Sequence, residues 1–144
     1  MIDTRRDTIN GILAIFCAGM LFAMSFVATP AKFMALGVPI ADLIAVGRVT
    51  FRASMCTESV FLFIMVCLAR RGDQRVLFGC AAILATQYFA LLPALNERSL
   101  AVMRGAVLSP SPLHPIWIAF DVFRLGLYLA YGVRLQGLFQ GRRT

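Results

Sequence analysis

Four polar side chains stand inside long apolar stretches of the chain and could do chemistry there: Glu58, Gln87, Asp121 and Arg124. Asp121 and Arg124 are three residues apart, a spacing that brings two side chains to one face of a helix and allows an ion pair. Carboxylates and a guanidinium enclosed by apolar side chains either fix the packing of helices or hold a proton or a substrate. Both interpretations stay open from the sequence alone.

A second candidate site combines the single histidine, His114, with Arg48 and Arg52. A histidine at the mouth of a proton path can accept a proton, although a lone histidine can equally cap a helix or contact lipid headgroups. Arg48 and Arg52 are one helical turn apart, so both long side chains can reach the same membrane surface. These three residues form a predicted outer-face site.

No pattern for a metal or a cofactor accompanies these residues. The cysteines all fall inside apolar stretches and form no CxxC pair: Cys17, Cys56, Cys67 and Cys80. A Cu(I) site at Cys67 and Cys80 is conceivable, but cysteine in an apolar helix usually packs as a small hydrophobe. One histidine rules out bis-histidine haem ligation within one chain. We therefore predict no metal site and no cofactor.

Catalytic motifs are missing as well. The sequence has no glycine-rich phosphate loop, no HExxH and no nucleophile elbow. The serines of the segment after residue 96 have no second histidine that could activate them. We therefore assign no catalytic residues, and an enzyme is not indicated.

The composition requires a membrane. Hydrophobic residues make up 60% of the 144 residues, charged residues make up 15%, and the mean hydropathy is +0.80. A soluble domain of this length needs more charge to cover its surface. Hydrocarbon or other membrane protein must therefore surround much of the chain.

Four stretches reach the length of about 20 apolar residues that a helix needs to cross a bilayer. We predict spanning helices over residues 9–29, 40–69, 76–95 and 115–135, in a single domain of residues 1–144. The expected fold class is all-α: a polytopic membrane protein with a four-helix transmembrane bundle.

The first stretch follows Arg5 and Arg6 and could also be a secretory or twin-arginine signal. Its apolar core is longer than the roughly 7–15 residues of a signal peptide. Pro30 stands where a small-residue cleavage site would be. We therefore predict a spanning helix that ends at Pro30.

Prolines set the other expected boundaries. Pro93 removes one ladder hydrogen bond and predicts a bend in the third helix. Residues 96–114 are polar and proline-rich, which predicts a loop with a short helical turn around residues 100–104. Pro115 suits the first position of the fourth helix, and Trp117 lies behind it at interface depth.

Counting about 1.5 Å per residue from the basic residues at the helix ends places the four polar side chains about 15–20 Å deep in the membrane. Buried charges at that depth face the bundle interior in pairs. We predict that Arg124 is shared between Asp121 and Glu58, with Gln87 adding hydrogen bonds. At this level the first helix offers only small residues, Ala18 and Gly19.

The basic residues predict the orientation. One side of the predicted bundle has Arg5, Arg6, Arg70, Arg71, Arg75, Arg134, Arg142 and Arg143; the other has Lys32, Arg48, Arg52, Arg98 and Arg104. Cytoplasmic flanks hold the excess of Lys and Arg, so we predict a bacterial inner (cytoplasmic) membrane protein with both termini in the cytoplasm. Anionic lipid headgroups are sufficient partners for the net charge of +7, and no nucleic-acid partner is expected.

Several short strings resemble a known family: FVATPAKF at residues 26–33, GRVTF at 47–51, Glu58, LLPALNER at 91–98, and Gly105, Pro112 and His114. In these residues the chain is similar to the small four-helix membrane proteins akin to transmembrane protein 205. That resemblance implies a four-helix bundle whose biochemical role is largely unassigned. Small anthrone-oxygenase-like membrane proteins have the same helix count and are a rival resemblance.

The leading functional prediction is an integral membrane protein that acts as an accessory, assembly or interaction subunit of a membrane protein complex. Its expected partners are membrane lipids and other membrane proteins, or further copies of the chain. The alternative is a small proton- or ion-linked carrier that uses the Glu58, Asp121 and Arg124 cluster. A weaker alternative is a membrane oxidoreductase that borrows a cofactor from a partner.

Overall fold

The computed structural model describes residues 2–137. Within them the chain forms four long helices and no strand, and each helix is long and apolar enough to cross a membrane. The predicted all-α, four-helix transmembrane architecture is therefore confirmed. Arg142 and Arg143, counted above for the orientation, lie outside the described residues.

The first helix, α1, covers residues 2–32 and does not end at Pro30. It is α-helical over Ile2–Phe22, π-helical over Ala23–Ala28 and α-helical again over Thr29–Lys32. In the π-helical segment the backbone bonds shift to the residue five positions back, as the N–H of Thr29 bonds to the carbonyl of Met24. This shift just before Pro30 lets the helix accommodate a residue that has no N–H to donate.

The second helix, α2, covers Ile40–Leu68, close to the predicted span. The third helix, α3, covers Gln74–Met103 and is interrupted by a π-helical segment over Gln87–Leu91. This segment lies where the bend near Pro93 is predicted. The predicted loop at residues 96–103 is wrong, because α3 continues through it. The polar residues there do not end the helix.

The fourth helix, α4, covers Leu113–Leu135 and begins two residues before the predicted start. Pro115 is thus its third residue and not its first. The physical reason for a proline there still holds, because the first four N–H groups of a helix have no partner inside the helix.

The helices form a ring in which each one contacts its neighbours in sequence and α1 closes against α4. The contact between α1 and α4 is the most extensive. A Cβ atom on Gly132 would lie 2.7 Å from Ile15 Cγ1 and 3.0 Å from the carbonyl oxygen of Gly11, so no larger side chain fits at this crossing. The contact between α2 and α3 is less close, and a groove opens between them.

Polar contacts hold both ends of the described chain on one side of the bundle, which we call the termini face. Arg70 pairs with Asp7 at 2.6 Å, and Arg134 pairs with Asp73 at 2.5 Å. Gln136 also donates to the carbonyl of Thr8 at 3.0 Å. The segments that join α1 to α2 and α3 to α4 lie at the other end of the bundle, the opposite face.

Candidate functional site

The bundle interior contains a central polar layer built around Arg124. Its Nη2 atom donates to Asp121 Oδ1 at 3.1 Å, and its Nε atom lies 3.1 Å from Glu58 Oε1. The first contact is within α4 and the second joins α4 to α2. Arg124 therefore lies between two carboxylates, in the arrangement that the sequence predicts.

Asp121 connects the same layer to α3 and α1. Gln87 donates to Asp121 Oδ1 at 2.8 Å and to the carbonyl oxygen of Trp117 at 3.3 Å. Ser25, in the π-helical segment of α1, donates to Asp121 Oδ2 at 2.7 Å. All four helices thus contribute a polar side chain to one network.

Two members of this layer are absent from the sequence prediction. Ser25 joins from α1, although small residues alone are predicted there, so that prediction is wrong. Of the two residues named for this level, Ala18 is buried in the core and Gly19 is exposed. Tyr128 donates to Glu58 Oε1 at 2.8 Å. Its position four residues after Arg124 was an available signal, since that spacing places both side chains on one face of α4.

The layer is enclosed. Glu58, Gln87, Asp121 and Arg124 are each at most 1% exposed. The carboxylates outnumber the guanidinium by two to one, and neutral donors at Ser25, Gln87 and Tyr128 supply the remaining contacts. The three cavities described below are lined by other residues. This arrangement is suited to holding four helices in register.

A second, smaller polar network lies nearer the termini face. The amide of Asn10 on α1 donates to the carbonyl of Met65 on α2 at 3.2 Å and to the hydroxyl of Tyr131 on α4 at 3.3 Å. Asn10 is only 1% exposed. It joins three helices at a level where the sequence suggested no site.

The predicted outer-face site is only partly assembled. His114 and Arg48 line one cavity of about 160 Å³ on the opposite face, together with Lys32 and Trp117. Arg48 donates from Nε to Asn96 Oδ1 at 3.0 Å, across from α2 to α3. Arg52 is exposed and does not line this cavity, so the predicted grouping with His114 and Arg48 is wrong for Arg52.

The cysteines do not converge. Cys17 and Cys80 are buried in the core, whereas Cys56 and Cys67 are exposed on α2. Among the side chains of residues 4–137, no group of three His, Cys, Asp or Glu is arranged to hold a metal ion.

A groove of about 610 Å³ runs along the membrane-facing side of the bundle between α2 and α3; we call it the lateral groove. Ala81 and Ala85 line its α3 side, and Tyr88 and Phe89 continue that side toward the middle of the helix. In the π-helical segment Gln87–Leu91, Gln87 is buried in the polar layer and Tyr88 is 44% exposed. Tyr88 and Phe89 contact each other edge to face, with ring centroids 5.1 Å apart.

Comparisons with known proteins add nothing to this description. No protein-family model, no curated protein and no solved structure matches the chain. The resemblance to the proteins akin to transmembrane protein 205 therefore stays a prediction.

Proposed function

We propose that this protein is an integral membrane subunit that associates with another membrane protein, and that the lateral groove receives an apolar transmembrane helix of that partner. The observation that carries the proposal is the exposed Tyr88 side chain, which lies in the apolar part of α3, eight residues before the polar run that begins at Asn96. Tyrosine favours the membrane interfaces, where its hydroxyl meets water or headgroups. Within the hydrocarbon this hydroxyl needs a protein acceptor, which an acyl chain does not offer.

The small side chains that line the groove also favour a transmembrane helix as its occupant. Ala81 and Ala85 are one turn apart and both line the groove, and this small-xxx-small spacing lets helix backbones approach closely. Phe63 of α2 and Phe89 of α3 provide large apolar surface beside them, 69% and 76% exposed. We infer a partner helix with large apolar side chains and one hydrogen-bond acceptor at the level of Tyr88.

The central polar layer favours this function over the carrier. A carrier must open a path to its ion or proton site, and the site predicted for that role is at most 1% exposed at Glu58, Asp121 and Arg124. Enclosure and internal pairing are what a structural layer needs. The carrier and the oxidoreductase stay alternative hypotheses.

Photo-crosslinking in native membranes tests the proposal. Benzoylphenylalanine at Phe63, in the groove, is compared with the same residue at Phe123, which is 60% exposed on α4 and outside the groove. We expect one discrete protein adduct of the same identity in independent preparations from Phe63, and none from Phe123. Adducts with lipid alone at both positions would overturn the proposal. An adduct of twice the chain's own mass would replace the partner by a second copy of this chain.

Substitutions in the groove sharpen this test. Ala85→Phe should fill the groove and abolish the adduct, whereas Ala82→Phe should not, because Ala82 is exposed on the same helix but does not line the groove. Tyr88→Phe removes only the hydroxyl, and an interhelical hydrogen bond in a membrane contributes about 0.6–2 kcal/mol, so the adduct yield should fall several-fold. Equal losses from Ala82→Phe and Ala85→Phe would contradict a specific groove.

We also propose a bacterial inner membrane with the termini face in the cytoplasm, because that face has the larger number of Lys and Arg residues. In a variant without the native cysteines, Gly72→Cys probes the termini face and Val107→Cys probes the opposite face; both positions are exposed. An impermeant maleimide should label Val107→Cys in cells with a permeabilised outer membrane, and Gly72→Cys only after lysis. The reverse pattern would invert the proposed orientation.

A further inference from the structure

On the opposite face, basic side chains from three helices line one small cavity. Lys32 ends α1, Arg48 lies in α2 and His114 lies at the start of α4, and all three line the cavity of about 160 Å³. The four ion pairs formed among the side chains of residues 4–137 all use other basic groups. The cavity therefore carries positive charge that no carboxylate among these residues compensates within an ion-pair distance.

The contacts of these groups keep their charge available. Arg48 is oriented by the neutral amide of Asn96, and the ammonium of Lys32 lies over the rings of Phe33 and Phe51, 5.0 Å and 5.9 Å from their centroids. An amide acceptor and aromatic faces position a cation without neutralising it. The donors of both side chains can therefore still bind an anion.

Trp117 adds a neutral donor with an unused hydrogen. It lines the same cavity, is 5% exposed, and its buried Nε1 atom has no acceptor among the described residues. A buried N–H without a partner is costly, so such groups are normally paired with a protein atom, water or a ligand. An oxygen-rich anion in the cavity would provide the missing acceptor.

An apolar cleft of about 180 Å³ continues from this cavity along α1 and α2. The cavity and the cleft share four lining residues: Thr29, Lys32, Gly47 and Phe51. Lys32 therefore lies where the charged cavity meets the apolar cleft. From Lys32 to Met24, the far end of the cleft, α1 advances about 12 Å toward the membrane centre. A charged cavity joined to an apolar cleft has the shape and polarity of a site for one amphiphilic molecule, whose headgroup would occupy the cavity and whose hydrocarbon chain would occupy the cleft.

We propose that this composite site binds one anionic phospholipid, with the phosphate at Lys32, Arg48 and the Trp117 N–H, and an acyl chain in the cleft beside Met24 and Ala28. The site does not depend on the lateral groove, which lies between α2 and α3 and shares no lining residue with it. A free inorganic phosphate could use the same donors but would leave the apolar cleft unused.

Native mass spectrometry of the full chain, stripped of lipid and titrated with phosphatidylglycerol or phosphatidylcholine, tests the site. We expect one bound phosphatidylglycerol per chain and at least tenfold weaker binding of phosphatidylcholine. The double variant Lys32→Gln/Arg48→Gln should lose at least tenfold in phosphatidylglycerol affinity. Arg52→Gln is the matched control, because Arg52 is one turn from Arg48 and lies outside the cavity; its affinity should be unchanged.

A second variant keeps the net charge. The Lys32 ammonium lies directly over Gly47, in the space that a Cβ atom there would occupy, so Gly47→Ala must displace it. We expect weaker phosphatidylglycerol binding from this displacement, which mere charge attraction would not produce. The proposal would be overturned if the wild type bound phosphatidylglycerol and phosphatidylcholine equally well. It would also be overturned if Arg52→Gln lost as much phosphatidylglycerol affinity as the double variant Lys32→Gln/Arg48→Gln. Inorganic phosphate that competes at the affinity of the lipid would show a free-anion site in place of a lipid site.

Discussion

Replacing Arg124 with methionine tests whether the central polar layer holds the bundle together. Methionine is similar in length and apolar, so the change removes the guanidinium while it fills much of the same space. Glu58 and Asp121 then lose their shared cation, which lies 3.1 Å from one oxygen of each. Both carboxylates stay at most 1% exposed, and nothing charged is left to compensate them.

Breaking a buried ion pair by removing one partner costs about 3–5 kcal/mol, mostly because the other charge stays buried and unpaired. Here one substitution removes the cation that pairs with two carboxylates, so we expect the free energy of unfolding to fall by an amount in the upper part of that range. The hydrogen bonds from Ser25, Gln87 and Tyr128 persist in Arg124→Met, so they limit the loss without replacing the cation.

The free energy of unfolding can be measured in lipid bicelles by steric trapping with monovalent streptavidin. Phe123→Leu is the control for a change on the lipid-facing side of the same helix, and it should stay within about 0.5 kcal/mol of the wild type. The triple variant Glu58→Gln/Asp121→Asn/Arg124→Met removes all charges together and should recover most of the loss, because replacing a whole buried ionic set is often neutral. An Arg124→Met variant as stable as the wild type would refute a structural role for this layer.

Three further predictions concern the same free energy of unfolding, measured in the same way. Asn10→Leu should cost about 1–3 kcal/mol, because it removes both hydrogen bonds of the Asn10 amide and leaves the Tyr131 hydroxyl buried without this donor, while the Met65 carbonyl keeps the N–H of Ala69; the exposed Thr8→Ala should not. Gly132→Leu should cost about 1–3 kcal/mol or more through overpacking against Ile15, whereas Gly126→Leu should be tolerated, since nothing lies within 4 Å of a Cβ atom there. Asp73→Asn should cost at most about 1 kcal/mol, and less at high salt, because Arg134 in that pair is 54% exposed.

The pairing of Arg124 could be predicted because an ionised group is expensive in hydrocarbon. That cost leaves few arrangements, and the three-residue spacing of Asp121 and Arg124 selects one of them. Ser25 and Tyr128 are neutral, and an unpaired hydroxyl costs less in hydrocarbon than an unpaired charge does. A serine in a membrane helix can bond to its own backbone, as Ser59 does to the carbonyl of Met55. Apart from the four-residue spacing of Tyr128 from Arg124, these hydroxyl side chains therefore gave a weaker signal for joining the layer.

The ends of the helices could not be predicted accurately, for a different reason. Pro30 and the polar run from Asn96 both predict the end of a helix, and at both places the helix continues. A π-helical turn before Pro30 removes the conflict with the proline, and no local pattern announces such a turn. At residues 96–103 water can solvate the polar side chains while the backbone keeps its helical hydrogen bonds, so side-chain polarity alone could not locate the end of α3.

The polar groups that join the helices are different from those that we propose bind a partner. Inside the bundle, the carboxylates of Glu58 and Asp121 already accept hydrogen bonds from other helices, so a ligand there would have to displace contacts that join the helices. At the periphery, Tyr88 lines the lateral groove and Trp117 lines the opposite-face cavity, and the buried Nε1 atom of Trp117 has no partner among the described residues. The proposed binding at these two places follows from the same physical rule that pairs the polar groups of the central layer: a polar group in hydrocarbon must find a partner.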